Sequence, residues 1–198
     1  MPVTINPQEL NGSWVQGYAM DLHTLSSEFL GYDDCGHPHF DTQYSEMGSL
    51  LYKLKYQQNY SVVNEIVAPI IDFIMSVYND IPFDMVVPIP PSTPRNVQPV
   101  DLLAQALASG LGISCQNCIV SLNSEPVKNI VDPAERLNAV QNKYQLGQNA
   151  NVNGKCILLL DDLFRSGTTM DVITNILLNQ GKASSVYAFA VTKTRIHR

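Results

Sequence analysis

The chain has 198 residues, 45% hydrophobic and 15% charged, enough for one domain or a core with a small appendage, without disulfide or metal staples. Its 12 basic and 18 acidic residues give a net charge of −6, which argues against a nucleic-acid coat or an anionic membrane surface as partner. Four scattered cysteines (Cys35, Cys115, Cys118, Cys156) exclude a disulfide scaffold. No run reaches the roughly 18 apolar residues of a membrane span. The start, Met1-Pro2-Val3-Thr4-Ile5-Asn6, lacks the basic and apolar regions of a secretion signal, so the expected compartment is the cytoplasm.

Residues 1–50 are rich in turn formers and polar aromatics, as in Gly31-Tyr32-Asp33-Asp34-Cys35-Gly36-His37, and read as loops and short elements that cover a core. Over residues 61–78, Ile66, Ile70, Phe73, Ile74 and Val77 form a helical stripe, with Pro69 expected to kink or restart it. Residues 84–89 are a short buried strand running into the turn Pro90-Pro91-Ser92-Thr93-Pro94. Val100, Leu103, Ala104, Leu107 and Leu111 predict a helix stopping at residues 110–112. Residues 118–122 give a weaker strand.

Asp132-Pro133-Ala134-Glu135 has an acid at the N-cap, proline at the first helical position and a glutamate completing a capping box, opening a helix to about Tyr144. After the turn Asn153-Gly154, residues 155–160 form an apolar strand. Met170, Ile173, Ile176 and Leu177 mark the next helix, closed by Gly181, and residues 186–191 are the last strand. Strands alternating with helices predict an α/β fold, a mainly parallel twisted sheet covered on both faces.

Ligands of such sheets bind beyond the carboxyl ends of the strands. The strand of residues 156–160 delivers Asp161 and Asp162 to that edge, and Arg165-Ser166-Gly167-Thr168-Thr169 then lead into a helix. Glycine lets backbone approach an anion closely, and the free N–H groups of a first helical turn point at it. Three hydroxyls and a guanidinium add donors. Carboxylates that accept from sugar hydroxyls, beside a loop that takes a phosphate, suit a sugar phosphate. The blander alternative is an accidental acid pair followed by an ordinary helix cap. A receiver domain also ends a strand with two acids, but it needs a phosphorylatable aspartate and a lysine downstream, and Asp171 is the one later acid here. The segment fits neither a Walker A loop nor a glycine-rich dinucleotide fingerprint.

The order apolar strand, acid pair, short variable stretch and Ser/Thr-Gly phosphate loop resembles the type I phosphoribosyltransferases. Within them the chain is most similar to the ComF-like (amidophosphoribosyltransferase-like) branch. The resemblance rests on Leu51-Tyr52-Lys53-Leu54-Lys55-Tyr56, Val86-Val87-Pro88-Ile89-Pro90-Pro91-Ser92 with Arg95 and Gln98-Pro99, then Arg136 and Asn138, then the acid pair. These blocks stand in family order over about residues 50–195.

The resemblance implies a phosphoribosyltransferase that binds 5-phosphoribosyl-1-pyrophosphate (PRPP) and transfers the phosphoribosyl group to a nitrogen base or amine, releasing pyrophosphate. The alternative is a PRPP- or nucleotide-sensing module on the same fold. Asp161, Asp162 and Arg95 would be the catalytic set. Arg165, Ser166, Gly167, Thr168 and Thr169 would hold the 5′-phosphate. Pro90, Pro91, Ser92 and Arg95 would form the pyrophosphate loop. Lys55, Lys128 and Arg136 are candidate lid or pyrophosphate charges, and residues 123–135 a candidate closing loop. Mg²⁺ is the expected cofactor, held mainly by the substrate. Residues 1–50 would be a hood on an α/β domain of residues 51–198, and the family suggests a homodimer.

The acceptor is less legible. Trp14, Tyr18, Tyr32, Phe40 and Tyr44 are candidates to stack on a base, and Asp21, His23 and Glu46 for polar recognition, although packing and surface roles are commoner for such residues. Cys35, His37 and His39, with Cys115 and Cys118, form a possible zinc set; the alternative is buried thiols and loop histidines. The paired-cysteine zinc module of many ComF-like chains is missing from this sequence.

Overall fold

The computed structural model describes residues 3–33, 35–91, 95–122, 135 and 139–195. The chain begins with β1 (Gln8–Glu9), β2 (Gly17–Leu22) and a hairpin of β3 (Thr24–Tyr32) and β4 (Pro38–Tyr44). Helices α1 (Glu46–Tyr56) and α2 (Val63–Val77) follow, then β5 (Met85–Pro88), α3 (Pro99–Leu111), β6 (Ser114–Cys115) and β7 (Ile119–Ser121). The last elements are β8 (Tyr144–Leu146), β9 (Cys156–Phe164), α4 (Thr168–Asn175) and β10 (Ser185–Lys193). The main sheet has the order β1-β2-β10-β9-β5-β6 and is parallel except at the β1–β2 edge. This is the α/β architecture expected from the alternation of strands and helices.

The two faces of β9 explain the layers. Because successive strand residues point to opposite faces, Leu158 and Leu160 join a core with Leu51, Ile66, Ile70, Leu103 and Phe189, beneath α1, α2 and α3. Ile157 and Leu159 join a second core with Trp14, Val140, Met170, Ile173 and Leu177 on the α4 side. A strand buried on both faces reads as a continuous apolar run, which is why residues 156–160 were plain in the sequence.

Three elements differ from expectation. Pro69 does not restart α2: the helix runs through it, held by the buried stripe Ile66, Ile70 and Ile74, and the irregularity is a 3₁₀ turn at its start, Tyr60–Val62. That turn and α2, Tyr60–Val77, are long and apolar enough to cross a membrane by length and hydropathy alone; the stripe instead lies on the sheet-facing core. The helix expected from residue 132 falls largely outside the described residues. Residues 139–141 are helical, and Tyr144 opens β8 instead of closing the helix. Finally, residues 17–22 are not a covering loop. They form β2, a strand of the main sheet beside β10, with Ala19 and Met20 fully buried. Tyr18 and Asp21 interrupt the apolar run and hid it.

The β3–β4 hairpin stands apart as its own two-stranded sheet. Its ends meet at residues 23 and 45, where Ser45 N donates to His23 O at 3.4 Å and Ser45 Oγ to Leu22 O at 2.5 Å. Ser45 also caps α1 through Gly48 N at 2.9 Å. Gly48 is required there, since a Cβ would lie 2.0 Å from the His23 carbonyl oxygen. Gly48→Ala is therefore expected to destabilise the protein by about 1–3 kcal/mol in urea unfolding. Gly110→Ala, whose Cβ meets the flexible end of Ile71, should be neutral or stabilising by up to about 1 kcal/mol.

Candidate functional site

β9 continues four residues beyond the apolar run, so Asp161 and Asp162 lie inside its last turn of pleat, not after it. Strand alternation sends their carboxylates to opposite sides of the sheet edge. Asp162 turns toward α1, where its Oδ2 lies 2.9 Å from Lys55 Nζ, both side chains largely buried. Asp161 turns toward the α4 side, near Tyr144, and its Oδ1 accepts from the Asp162 N–H at 2.8 Å. Burial, and then the Asp162 charge, hold the Asp161 carboxyl well above the ordinary carboxylate range; Lys55 and two backbone N–H groups oppose this only in part.

After β9 the chain turns at Gly167, whose φ of +79° is left-handed and whose Cβ position would lie 2.8 Å from the Phe164 ring. Both facts favour glycine. Gly167 is the N-cap of α4, with no side-chain cap bond, so the first-turn N–H groups have no side-chain cap. Ser166 Oγ and Thr168 Oγ1 are 3.1 Å apart. Asp171, one turn on, fixes the helix to the N-terminal segment by accepting from Ser13 N at 2.7 Å.

A cavity of about 460 Å³ opens over this edge. The structure brings together most of the expected set around it: Asp161, Asp162, the run Arg165 to Thr169, Pro90, Pro91, Arg95 and Lys55. Arg95 stands at the rim with its guanidinium 5.4 Å from the centre of the Tyr56 ring, and its Nη1 donates to the Lys55 carbonyl. Ser92, Lys128, Arg136 and most of the expected closing loop at 123–135 lie outside the described residues.

Lys143 and Tyr144 also line the cavity and were missed. Burial lowers the Lys143 ammonium pKa and pushes the Tyr144 hydroxyl up to about 12, the latter with help from Asp161. No pattern in the sequence separates Lys143 from a solvated lysine; only the reversal of the chain into β8 brings it inward. Four cations (Lys55, Arg95, Lys143, Arg165) thus face two carboxylates in one cavity of an acidic protein. Such focusing favours an anionic ligand.

The acceptor candidates divide. Trp14 is a core residue that donates to Leu10 O at 2.9 Å and packs edge-on to Phe164, and Tyr18 packs on Phe73. Asp21 is buried beside Ser45, and Glu46 accepts from Thr4 N at 2.8 Å. Tyr32 and Phe40 cluster with Phe29 on the exposed hairpin. Tyr44 packs against His23 and Tyr52, and Tyr52 against Tyr56, an aromatic row from the hairpin root to the cavity rim. Cys35, His37 and His39 belong to the hairpin, whereas Cys115 is on β6 and Cys118 follows it. Among the described residues no three His, Cys, Asp or Glu side chains group as metal ligands.

The acid pair generates a prediction about stability. An acid whose pKa is raised by folding stabilises the fold at low pH and loses that contribution as the pH rises through the folded-state value. Asp161→Asn keeps the acceptor oxygen and removes the charge. It should raise Tm near pH 8 by a few degrees, about 2–4 °C for each kcal/mol in a domain of this size. By about pH 4 the gain should vanish. A melting series across that range checks both signs.

No family model matches the chain, and no curated protein matches it. Solved structures do. A crystal structure of an adenine phosphoribosyltransferase is similar with a TM-score of 0.51 and 12% identity, over 85% of each chain. The adenine phosphoribosyltransferase from Saccharomyces cerevisiae, crystallised with an imino-altritol bisphosphate and adenine, gives a TM-score of 0.51 and 12% identity over 85% of this chain and 84% of that one. The chain shares the fold of the type I phosphoribosyltransferases.

Proposed function

We propose that the cavity at the end of β9 binds PRPP and that the protein is a phosphoribosyltransferase acting on a nitrogen nucleophile. The observation that carries this reading is the convergence, at one sheet edge, of an acid pair, an α4 N-terminus behind Gly167, and four cations. On this reading the turn from Arg165 to Thr169 holds the 5′-phosphate with backbone N–H groups and hydroxyls. Asp161 and Asp162 accept from the ribose hydroxyls. Pro90, Pro91 and Arg95, at the end of the neighbouring β5, receive the pyrophosphate. The β3–β4 hairpin, with its root beside α1, is the proposed hood on the acceptor side.

Displacement at C1 of the ribose builds positive charge on the sugar and negative charge on the departing pyrophosphate. Arg95 and Lys55 stabilise the second, and the carboxylates lie near the first, so the catalysis is electrostatic. Lys55 has a double role, because it neutralises Asp162 before ligand arrives. The donor set fits a magnesium ion carried on PRPP oxygens: two carboxylates line the cavity, with no further acidic, histidine or cysteine ligand grouped with them among the described residues. When bound, such an ion adds charge neutralisation on the leaving group.

The double variant Asp161→Asn, Asp162→Asn is expected to lose PRPP binding in calorimetry with magnesium present; unchanged affinity contradicts the assignment. Pyrophosphate release from PRPP with a panel of nucleobases and amines then separates an enzyme from a sensor, which would bind PRPP without release under any acceptor.

A further inference from the structure

Two of the cavity's cations meet at the last turn of α1. Lys55 and Tyr56 end that helix, and both line the cavity. The Lys55 ammonium pairs with Asp162 at 2.9 Å, while the carbonyl oxygen of the same residue accepts from Arg95 Nη1. Tyr56 comes next, and the Arg95 guanidinium carbon lies over its ring, 5.4 Å from the centre. One dipeptide thus joins the acid pair at the end of β9 to the turn that follows β5.

The Tyr56 side chain is 61% exposed, yet its ring is braced. Tyr52 lies one helical turn earlier on the same face and packs against it with centroids 5.0 Å apart. Tyr44, at the end of β4, packs in turn on Tyr52 at 5.3 Å. The two other aromatic rings lining the cavity are committed elsewhere: Tyr144 is buried, and Phe164 packs on Trp14 and lies against Gly167. Tyr56 is therefore the lining aromatic that offers an open ring, and Arg95 is the group placed over it.

A guanidinium stacks through its face and donates through its edge, where all five N–H groups lie. Lys55 O takes one of the five, and among the described residues no second protein acceptor engages Arg95. The stacked arginine so keeps edge donors for an anion. A loose arginine gives up its rotamer freedom when it binds a ligand, whereas one already held loses less. We propose that Tyr56 is the positioning residue of the pyrophosphate subsite: its braced ring and the Lys55 carbonyl hold Arg95 at the cavity rim before the ligand arrives. This inference rests on the PRPP reading, in which Arg95 receives the pyrophosphate. The ligand feature that Tyr56 selects is the pyrophosphate on C1 of the sugar, not the 5′-phosphate, which the α4 turn takes.

Calorimetry with magnesium present compares PRPP with ribose 5-phosphate, which lacks the pyrophosphate. In Tyr56→Leu the PRPP affinity should fall about fivefold, while that for ribose 5-phosphate stays within about twofold of wild type. Tyr56→Phe keeps the ring and should retain the wild-type preference for PRPP. Once Arg95→Ala has removed the guanidinium, adding Tyr56→Leu should cost nothing further, since a residue that acts through Arg95 is silent without it. Melting curves check that each variant is folded. Unchanged PRPP affinity in Tyr56→Leu overturns the proposal, as do equal losses for the two ligands or a further loss on the Arg95→Ala background. Tighter PRPP binding by Tyr56→Leu also overturns it, because the ring would then be a latch that the ligand must break. Each of these results leaves the PRPP reading standing. Wild type that does not bind PRPP overturns both.

Discussion

The site depends on a carboxyl group that folding makes costly to ionise. Asp161 sits at the edge of a sheet with apolar side chains behind it and a second carboxylate as its sequence neighbour. Of the cavity's cations, Lys55 is ion-paired with Asp162. An unneutralised carboxylate held this way is costly, and such strain is commonly kept where a ligand relieves it. β9 supplies the geometry: one strand sends its apolar residues to two separate cores and, two residues further, its two acids to two sides of one cavity.

The other parts are arranged around that strand. β5 on one side contributes the proline turn and Arg95, and β10 on the other contributes Thr192 beneath Asp162. α1 runs over the cavity end of the sheet with Lys55 and Tyr56, and the Arg95 side chain bonds its backbone and stacks on its tyrosine. Gly167 permits the left-handed turn that aims the start of α4 at the same opening. A ligand with a phosphate at one end, hydroxyls in the middle and a second anionic group at the other matches this sequence of donors and acceptors.

Much of this was legible in the sequence because burial on two faces leaves an unmistakable apolar run, and because the acid pair and Ser-Gly-Thr-Thr follow it directly. Parallel topology followed from the alternation of elements. The losses have physical causes. β2 was hidden because an edge-proximal strand tolerates Tyr18 and Asp21, which break the run. The end of β9 was set too early because carboxylates resemble a loop, although they can belong to a strand whose end reaches solvent. Lys143 and the Arg95–Tyr56 contact join residues far apart in the chain, and no local pattern encodes them. Of the two roles open to Trp14 in the sequence, the commoner one holds: it packs in the core with its indole N–H on Leu10 O.

The central claim is that backbone amides at the start of α4 grip a phosphate while the acid pair takes the sugar. Amide chemical-shift mapping with ribose 5-phosphate tests it most directly. The account predicts that the largest perturbations fall on residues 166–169, with smaller ones at 161–163. Perturbations elsewhere, with residues 166–169 unmoved at saturating ligand, would contradict it.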